Sequence, residues 1–250
     1  MHDIRKQVLD LNLPPSSVEL EFRIGMLVSL GKQRWQSSRP TGGCIALQHE
    51  NAKKMGVEFV SGVDENVAER LHNLLKAEGY TGSYKEERVR SDGNSGQRCV
   101  VNAQGQEISA ETKSKILRLD LGCVGHQYDG RIEVATEIAA SGAVDMKTQK
   151  WTTERLKRRT SFRKASQKPS AWQVDLTTVT TTPLVSGSGK RVSVNTTELE
   201  FEMISTALVQ WLGSSEEDAH KYTSQFATEL RDVMNLCIIE TSEEGAGATG

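Results

Sequence analysis

No CxxC pair, no histidine cluster at zinc spacing and no long apolar run occurs in the 250 residues, and each absence removes a class of protein. Four isolated cysteines, Cys44, Cys99, Cys123 and Cys237, supply neither a disulfide framework nor a zinc ligand set, which points to a reducing compartment. No stretch approaches the roughly 18 apolar residues of a membrane helix. The opening Met1-His2-Asp3-Ile4-Arg5 lacks the basic-then-apolar order of a secretion signal. A soluble intracellular protein without a membrane partner is the expectation. With 31 basic against 33 acidic residues, net charge −2, the chain has no surplus of cations to coat nucleic acid or grip an anionic membrane. Aromatic residues make up only 5 %, and Trp35, Trp151, Trp172 and Trp211 are scattered as packing residues are. No nucleophilic triad is visible, and His49 and His126 stand alone. The run Ser186-Gly187-Ser188-Gly189-Lys190 fails the Walker order, with Leu184 at the first glycine position and Arg191 at the Ser/Thr position, and reads as a hairpin turn.

What is present is charge at strand spacing. In Glu198-Leu199-Glu200-Phe201-Glu202-Met203 the three glutamates share one face of an extended strand and the three apolar residues the other. Same-face neighbours lie only about 7 Å apart. Carboxylates that close repel, so something positive is expected to face them. A second acidic pair, Glu19 and Glu21 in Val18-Glu19-Leu20-Glu21-Phe22-Arg23, makes a hard divalent cation held by oxygen ligands the leading candidate.

Strands dominate the rest. Alternating runs fall at 88–90, 97–101, 115–121, 131–138, 155–163, 172–180 and 191–203, punctuated by turn residues at 91–94, 103–105, 129–130 and 186–189. Many strands joined by short turns predict an antiparallel sheet or closed barrel. Helical spacing of Val63, Val67, Leu71, Leu74 and Leu75 predicts a helix over 61–79, stopped by Gly79. A second helix is predicted to begin at Ser214 with Glu217 completing a capping box, and to carry Phe226, Leu230, Val233, Met234 and Leu236 along one side. Residues 34–56, with Pro40 and Gly42-Gly43, read as a long loop or insertion, 241–250 as a disordered tail, and 1–240 as one domain.

The charged faces segregate by sign. Arg155, Lys157, Arg159 and Ser161 alternate along a basic strand, interrupted by Arg158, while Gln173, Asp175 and Thr177 alternate with Trp172, Val174 and Leu176. Any one such strand suits a sheet with water on one side. Together they build opposed walls of charge around an anionic ligand and its metal. If the sheet closes with its charged faces inward, the result is a polar tunnel whose apolar outside must be covered by helices.

Four motifs in this order, ExE (Glu19, Glu21), RxKxRxSF (155–162), WxxDLT (172–177) and ExExE (198–202), resemble the metal-dependent RNA 5′-triphosphatases of fungi and protozoa, members of the triphosphate tunnel metalloenzymes. The short chain is most similar to the trypanosomatid enzymes. The resemblance implies a mainly β fold with packing helices, an eight-stranded antiparallel tunnel that hydrolyses the γ-phosphate of 5′-triphosphate-ended RNA in the first step of cap formation. It implies Mg²⁺ or Mn²⁺ as cofactor, with nucleoside triphosphates as further substrates, a guanylyltransferase as partner and the nucleus as location. By position it assigns Glu19, Glu21 and Glu202 to the metal, and Glu200 to the attacking water. Arg131, Lys157 and Arg159 fall to the phosphate, and Arg155 and Asp175 to positioning. Lys115 and Arg118 are candidate wall residues to which it gives no role. A tunnel acting on tripolyphosphate or thiamine triphosphate and a non-catalytic anion-binding barrel are the other readings.

Overall fold

The computed structural model describes residues 1–35, 43–92, 95–124, 126–139, 151–164, 170–184 and 192–236. The expected tail, the turn at 186–189 and the second half of the turn at 91–94 lie outside these residues. Helix α1 (His2–Asp10) and a single 3-10 turn (Pro15–Ser17) precede strand β1 (Val18–Ser29). Then β2 (Gly43–Gln48), α2 (His49–Lys54), β3 (Val57–Ser61) and α3 (Glu65–Ala77) lead into seven further strands. These are β4 (Tyr80–Ser91), β5 (Gln97–Val101), β6 (Glu107–Val124), β7 (Asp129–Ala139), β8 (Thr153–Lys164), β9 (Trp172–Pro183) and β10 (Val194–Met203). Helices α4 (Ser205–Gly213) and α5 (Glu216–Leu236) follow.

Eight strands, in the order β10-β9-β8-β4-β5-β6-β7-β1, close into a cylinder through the pairing of β1 with β10. Every neighbouring pair is antiparallel. The expected tunnel fold is the observed one, with β2 and β3 added outside it. Residues Glu21 to Ile24 of β1 pair with β10, and from Gly25 onward the same strand pairs with β3 instead.

The period-2 pattern decides which side of the wall is greasy. Leu20, Phe22 and Ile24 of β1, with Leu199, Phe201 and Met203 of β10, point outward and are all but fully buried beneath helices. Helix α5 inserts Phe226 between Phe22 and Trp172, ring centroids 6.0 and 4.2 Å away. From α3, Val67, Leu71 and Leu75 join the same core, as do Ile4 and Val8 of α1. Each such side chain contributes about 1.5–3 kcal/mol on burial. The apolar core therefore lies outside the barrel and the charges inside it. Among the described residues no helix is long and apolar enough to cross a membrane.

Several boundaries differ from those predicted. Residues 34–56 are not a loop throughout: β2 pairs with β6 and α2 buries Ala52 beside Leu27 and Val57. The run Cys44-Ile45-Ala46-Leu47 is apolar at every position, so it shows no alternation to read. Strands β4 and β6 begin well before 88 and 115, because their first halves are polar or exposed on both faces. The cap of α5 is Ser215, not Ser214: its Oγ accepts the Asp218 N–H at 3.2 Å and donates to the Asp218 carboxylate at 3.0 Å. Ser214 instead donates to the Trp211 carbonyl. Asp129 and Gly130 open β7 rather than forming a turn, and the Phe22 ring occupies the space a Cβ on Gly130 would need.

Helices α1 and α4 were not anticipated and are joined by Arg5. Its Nε donates to the Trp211 carbonyl and its Nη2 to that of Leu212, both at 3.0 Å, so a cation satisfies the C-terminal carbonyls of α4.

Candidate active site

Closure of the barrel sets the two acidic strands side by side. Glu21 faces Glu202 and Arg23 faces Glu200 across the β1–β10 ladder, while Glu19 lies one pleat further along β1. Arg23 was not singled out in the sequence, yet it organises this wall. Its Nη2 lies 2.7 Å from Glu21 Oε1 and its Nε 3.0 Å from Glu200 Oε1.

Opposite stands the basic strand. Arg155, Lys157 and Arg159 of β8 share the inner face, and Arg158 points out to an exposed pairing with Glu86, which explains the break in alternation. Arg159 Nη1 is 3.1 Å from Asp175 and 3.9 Å from Glu202, and Arg155 Nη2 is 2.6 Å from Glu198. Gln173 Nε2 donates to Asp175 and to Glu202, each at 3.2 Å. Lys157 is different: among the described residues no carboxylate lies within 4 Å of its ammonium. A cavity of about 340 Å³ separates the walls. A larger one, about 1090 Å³, lies outside the barrel between α4 and α5 and gathers no comparable charge.

Three more cations reach this cavity that sequence reasoning missed, one of them Lys85 of β4, which pairs with Glu87. Lys113 of β6 binds Glu19, lies 3.7 Å from Glu21, and is 3.5 Å from Glu137. Arg98 of β5 pairs with Glu111 at 2.9 Å and also with Glu137. Their strands lie in the stretch where the motif resemblance assigned nothing, and the polar first half of β6 gave no alternation to place Lys113.

Electrostatics follows from packing so many carboxylates out of water. Burial pushes Glu21 up to about 8 against the pull of Arg23 and Lys113. Burial, with Glu19 and Asp175 nearby, raises Glu202 to about 7. Glu200 goes the other way: burial raises it, but Arg23, Lys157 and Arg159 together outweigh that and hold it ionised. Burial, then Arg155, lowers Lys157, the expected behaviour of a cation lacking a close partner.

Among the described residues no three acidic, histidine or cysteine side chains gather on one point as metal ligands. Lys113 and Arg23 sit against Glu19 and Glu21 instead. The residues nevertheless suit a hard divalent cation. The available donors are all carboxylate oxygens, Glu21 faces Glu202 directly, and Glu21 Oε1 is buried without an aligned hydrogen bond.

Arg131 is not brought to this cavity. Its guanidinium binds Asp120 through Nε at 2.6 Å and Nη2 at 3.1 Å, stacks over the Phe59 ring at 4.7 Å, and contacts His49 at 3.2 Å. His49 does not stand alone, since Arg118 approaches its other nitrogen at 3.2 Å. A register shift between Lys115 and Leu117 of β6 explains how Lys115 and Arg118, of opposite parity, both reach the fully buried Glu133, at 3.7 and 3.1 Å. The pattern read from sequence had no means of locating that bulge.

A closed antiparallel barrel with acidic and basic walls facing inward defines the class of triphosphate tunnel enzymes. A sequence model of the family described as mRNA capping enzyme, beta chain, matches residues 12–239, and the chain belongs to that family of mRNA triphosphatases. The structure is similar to that of S. pombe Pct1 RNA triphosphatase, at 18 % identity and a TM-score of 0.68 over 93 % of this chain and 92 % of that one. Pct1 RNA triphosphatase in complex with the Spt5 CTD gives 0.69 over 93 % of each chain, again at 18 % identity. At that identity the likeness establishes the fold. The RNA triphosphatase domain of a mimivirus mRNA capping enzyme aligns over 94 % of this chain and 96 % of its own, at 12 % identity and a TM-score of 0.49. No curated protein sequence matches the chain.

Proposed function

We propose that the cavity between the β1–β10 and β8 walls takes the 5′-triphosphate end of RNA and hydrolyses its γ-phosphate. The observation that carries this is Lys157, a half-buried cation without a carboxylate within 4 Å among the described residues, lining the same cavity as Glu19, Glu21, Glu200 and Glu202. That combination calls for an anion on one side and a cation on the other. A triphosphate with a divalent metal supplies both.

Phosphoryl transfer asks for alignment of the attacking water and neutralisation of charge on the phosphoryl oxygens. Glu19, Glu21 and Glu202 would hold Mg²⁺ or Mn²⁺, which supplies Lewis-acid polarisation of a γ-phosphate oxygen. Lys157 and Arg159 bind the other oxygens, with Lys113 and Arg98 reaching in from the far side of the barrel. Arg155 and Asp175 position the basic strand through Glu198 and Arg159. Glu200, held ionised, accepts a hydrogen bond from the attacking water. Water oxygen bonds to the γ-phosphorus, the bond to the bridging oxygen breaks, and inorganic phosphate and a 5′-diphosphate end result.

The same contacts serve a free nucleoside triphosphate, so Mn²⁺-dependent release of phosphate from ATP belongs to this reading. The diphosphate end is the acceptor a guanylyltransferase consumes, which makes such an enzyme the functional partner. Because the substrate is nascent RNA, the site of action is the nucleus, checked by imaging a tagged chain.

Presenting γ-labelled triphosphate-ended RNA, ATP, tripolyphosphate and thiamine triphosphate in parallel, each with Mg²⁺, Mn²⁺ or chelator, tests the assignment. RNA is expected to give the highest kcat/KM. Higher efficiency on tripolyphosphate or thiamine triphosphate would reassign the substrate, and no release from any would leave an anion-binding barrel.

A further inference from the structure

Cys44 and Cys123 are direct partners across the β2–β6 ladder, outside the tunnel, and their Sγ atoms lie 2.7 Å apart. A movement of about 0.7 Å would bring them to the length of a disulfide bond. The backbone places the pair in the narrow class of antiparallel positions. Cys123 N–H donates to Asp129 Oδ1 at 2.9 Å and its carbonyl accepts the His126 N–H at 3.3 Å, so both groups point away from β2. Such a non-hydrogen-bonded pair has its Cα atoms about 4.5 Å apart. That is inside the range a disulfide spans.

The two thiols are unequal. Cys44 is exposed and Cys123 is buried, a reactive sulfur at the surface with a second sulfur behind it. The charged groups facing them are Asp129 and Arg34, which pair with each other at 2.9 Å. Donation from the Cys123 thiol lowers Cys44 to about 7, against burial and the Asp129 carboxylate. The same hydrogen bond and burial raise Cys123.

We propose that Cys44 and Cys123 are a reversible redox modification site, closed to a disulfide by a hydroperoxide and reopened by a thiol reductant. The Cys44 thiolate attacks the outer peroxide oxygen, the O–O bond breaks, and the departing oxygen leaves as water or an alcohol, giving a Cys44 sulfenic acid. The Cys123 sulfur then attacks the Cys44 sulfur, the S–O bond breaks, and a water leaves. The two thiols lose two electrons and two protons, and the hydroperoxide takes up both. The bond pins β2 to β6. Helix α2 begins at the next residue, His49, so the bond also holds that ring between Arg118 and Arg131.

Treating the full chain with hydrogen peroxide, then denaturing, alkylating and mapping peptides by mass spectrometry, tests this. The expected product is a Cys44–Cys123 linked peptide with a loss of about 2 Da, restored by dithiothreitol, while Cys99 remains alkylated. In Cys44→Ser, an exposed position that should not disturb folding, Cys123 is expected to stay reduced. In Cys123→Ser, Cys44 is expected to proceed to sulfinic acid that dithiothreitol does not reverse. Sulfinic Cys44 beside an alkylatable Cys123 in the native chain, no loss of thiol at all, or oxidation of Cys123 in Cys44→Ser would overturn the proposal.

Discussion

Glu21 and Glu202 stand directly opposite one another on the two strands whose pairing closes the barrel. One came from the first strand of the chain and the other from the last, so the carboxylates meet only once the cylinder is complete. Folding and assembly of the acidic wall are one event, and a cation placed there would bind across the seam.

Glu21→Ala and Glu202→Ala are each expected to lower kcat by about 10²-fold or more, the usual cost of a preorganised charged group. Phosphate release from labelled RNA measures the loss, and circular dichroism should match that of the unaltered chain. Near-normal turnover in either variant would remove that glutamate from the site.

Lys157 and Arg131 separate the proposed phosphate contact from a structural pair. Lys157→Ala is expected to cut kcat/KM by about 10²-fold with little change in denaturation midpoint, since no carboxylate is left stranded. Arg131→Ala leaves the fully buried Asp120 with His49, at 3.5 Å, in place of its guanidinium partner and should cost about 3–5 kcal/mol of stability in urea titrations, with the folded fraction still active. The reverse outcome would return Arg131 to the phosphate.

Lys113→Ala and Arg98→Ala are expected to reduce kcat/KM by at least about 10-fold, because both cations bound the cavity from β6 and β5. Unchanged kinetics in both would confine phosphate recognition to the β8 wall.

Stability against pH carries the sign of the raised carboxylates. Glu21 moves from 4.5 up to about 8 and Glu202 to about 7, so between those values the folded chain holds protons that the unfolded chain has released. Their contribution to stability is complete below 4.5 and is lost as pH rises toward 8. In chelator, Glu21→Gln should therefore gain stability relative to the unaltered chain as pH is raised through that window. A flat difference would show that Glu21 is already ionised in the fold.

The parts of the molecule legible in the sequence are those where one face is charged and the other packed. The strand from Glu198 to Met203 shows its alternation because Leu199, Phe201 and Met203 are covered by helices while Glu200 and Glu202 line the cavity and Glu198 pairs with Arg155. Strand β4 is exposed along most of its outer face and polar within, so no apolar period marked its start. Arg23 was passed over because it reads as the end of an acidic motif, and only closure of the barrel brings it against Glu200. Arg131 lies apart from the cavity for a related reason: its parity is that of the inner face, but its height along the barrel, beside Asp120 and His49, is set by register that one strand alone does not carry.

The most direct measurement is a crystal structure with tripolyphosphate and Mn²⁺, located by anomalous scattering. A manganese peak is expected between Glu21 and Glu202, with phosphate oxygens on Lys157 and Arg159 across the same cavity. Manganese or phosphate bound only outside the barrel, with the inner carboxylates still held by Arg23 and Lys113, would contradict the proposed function.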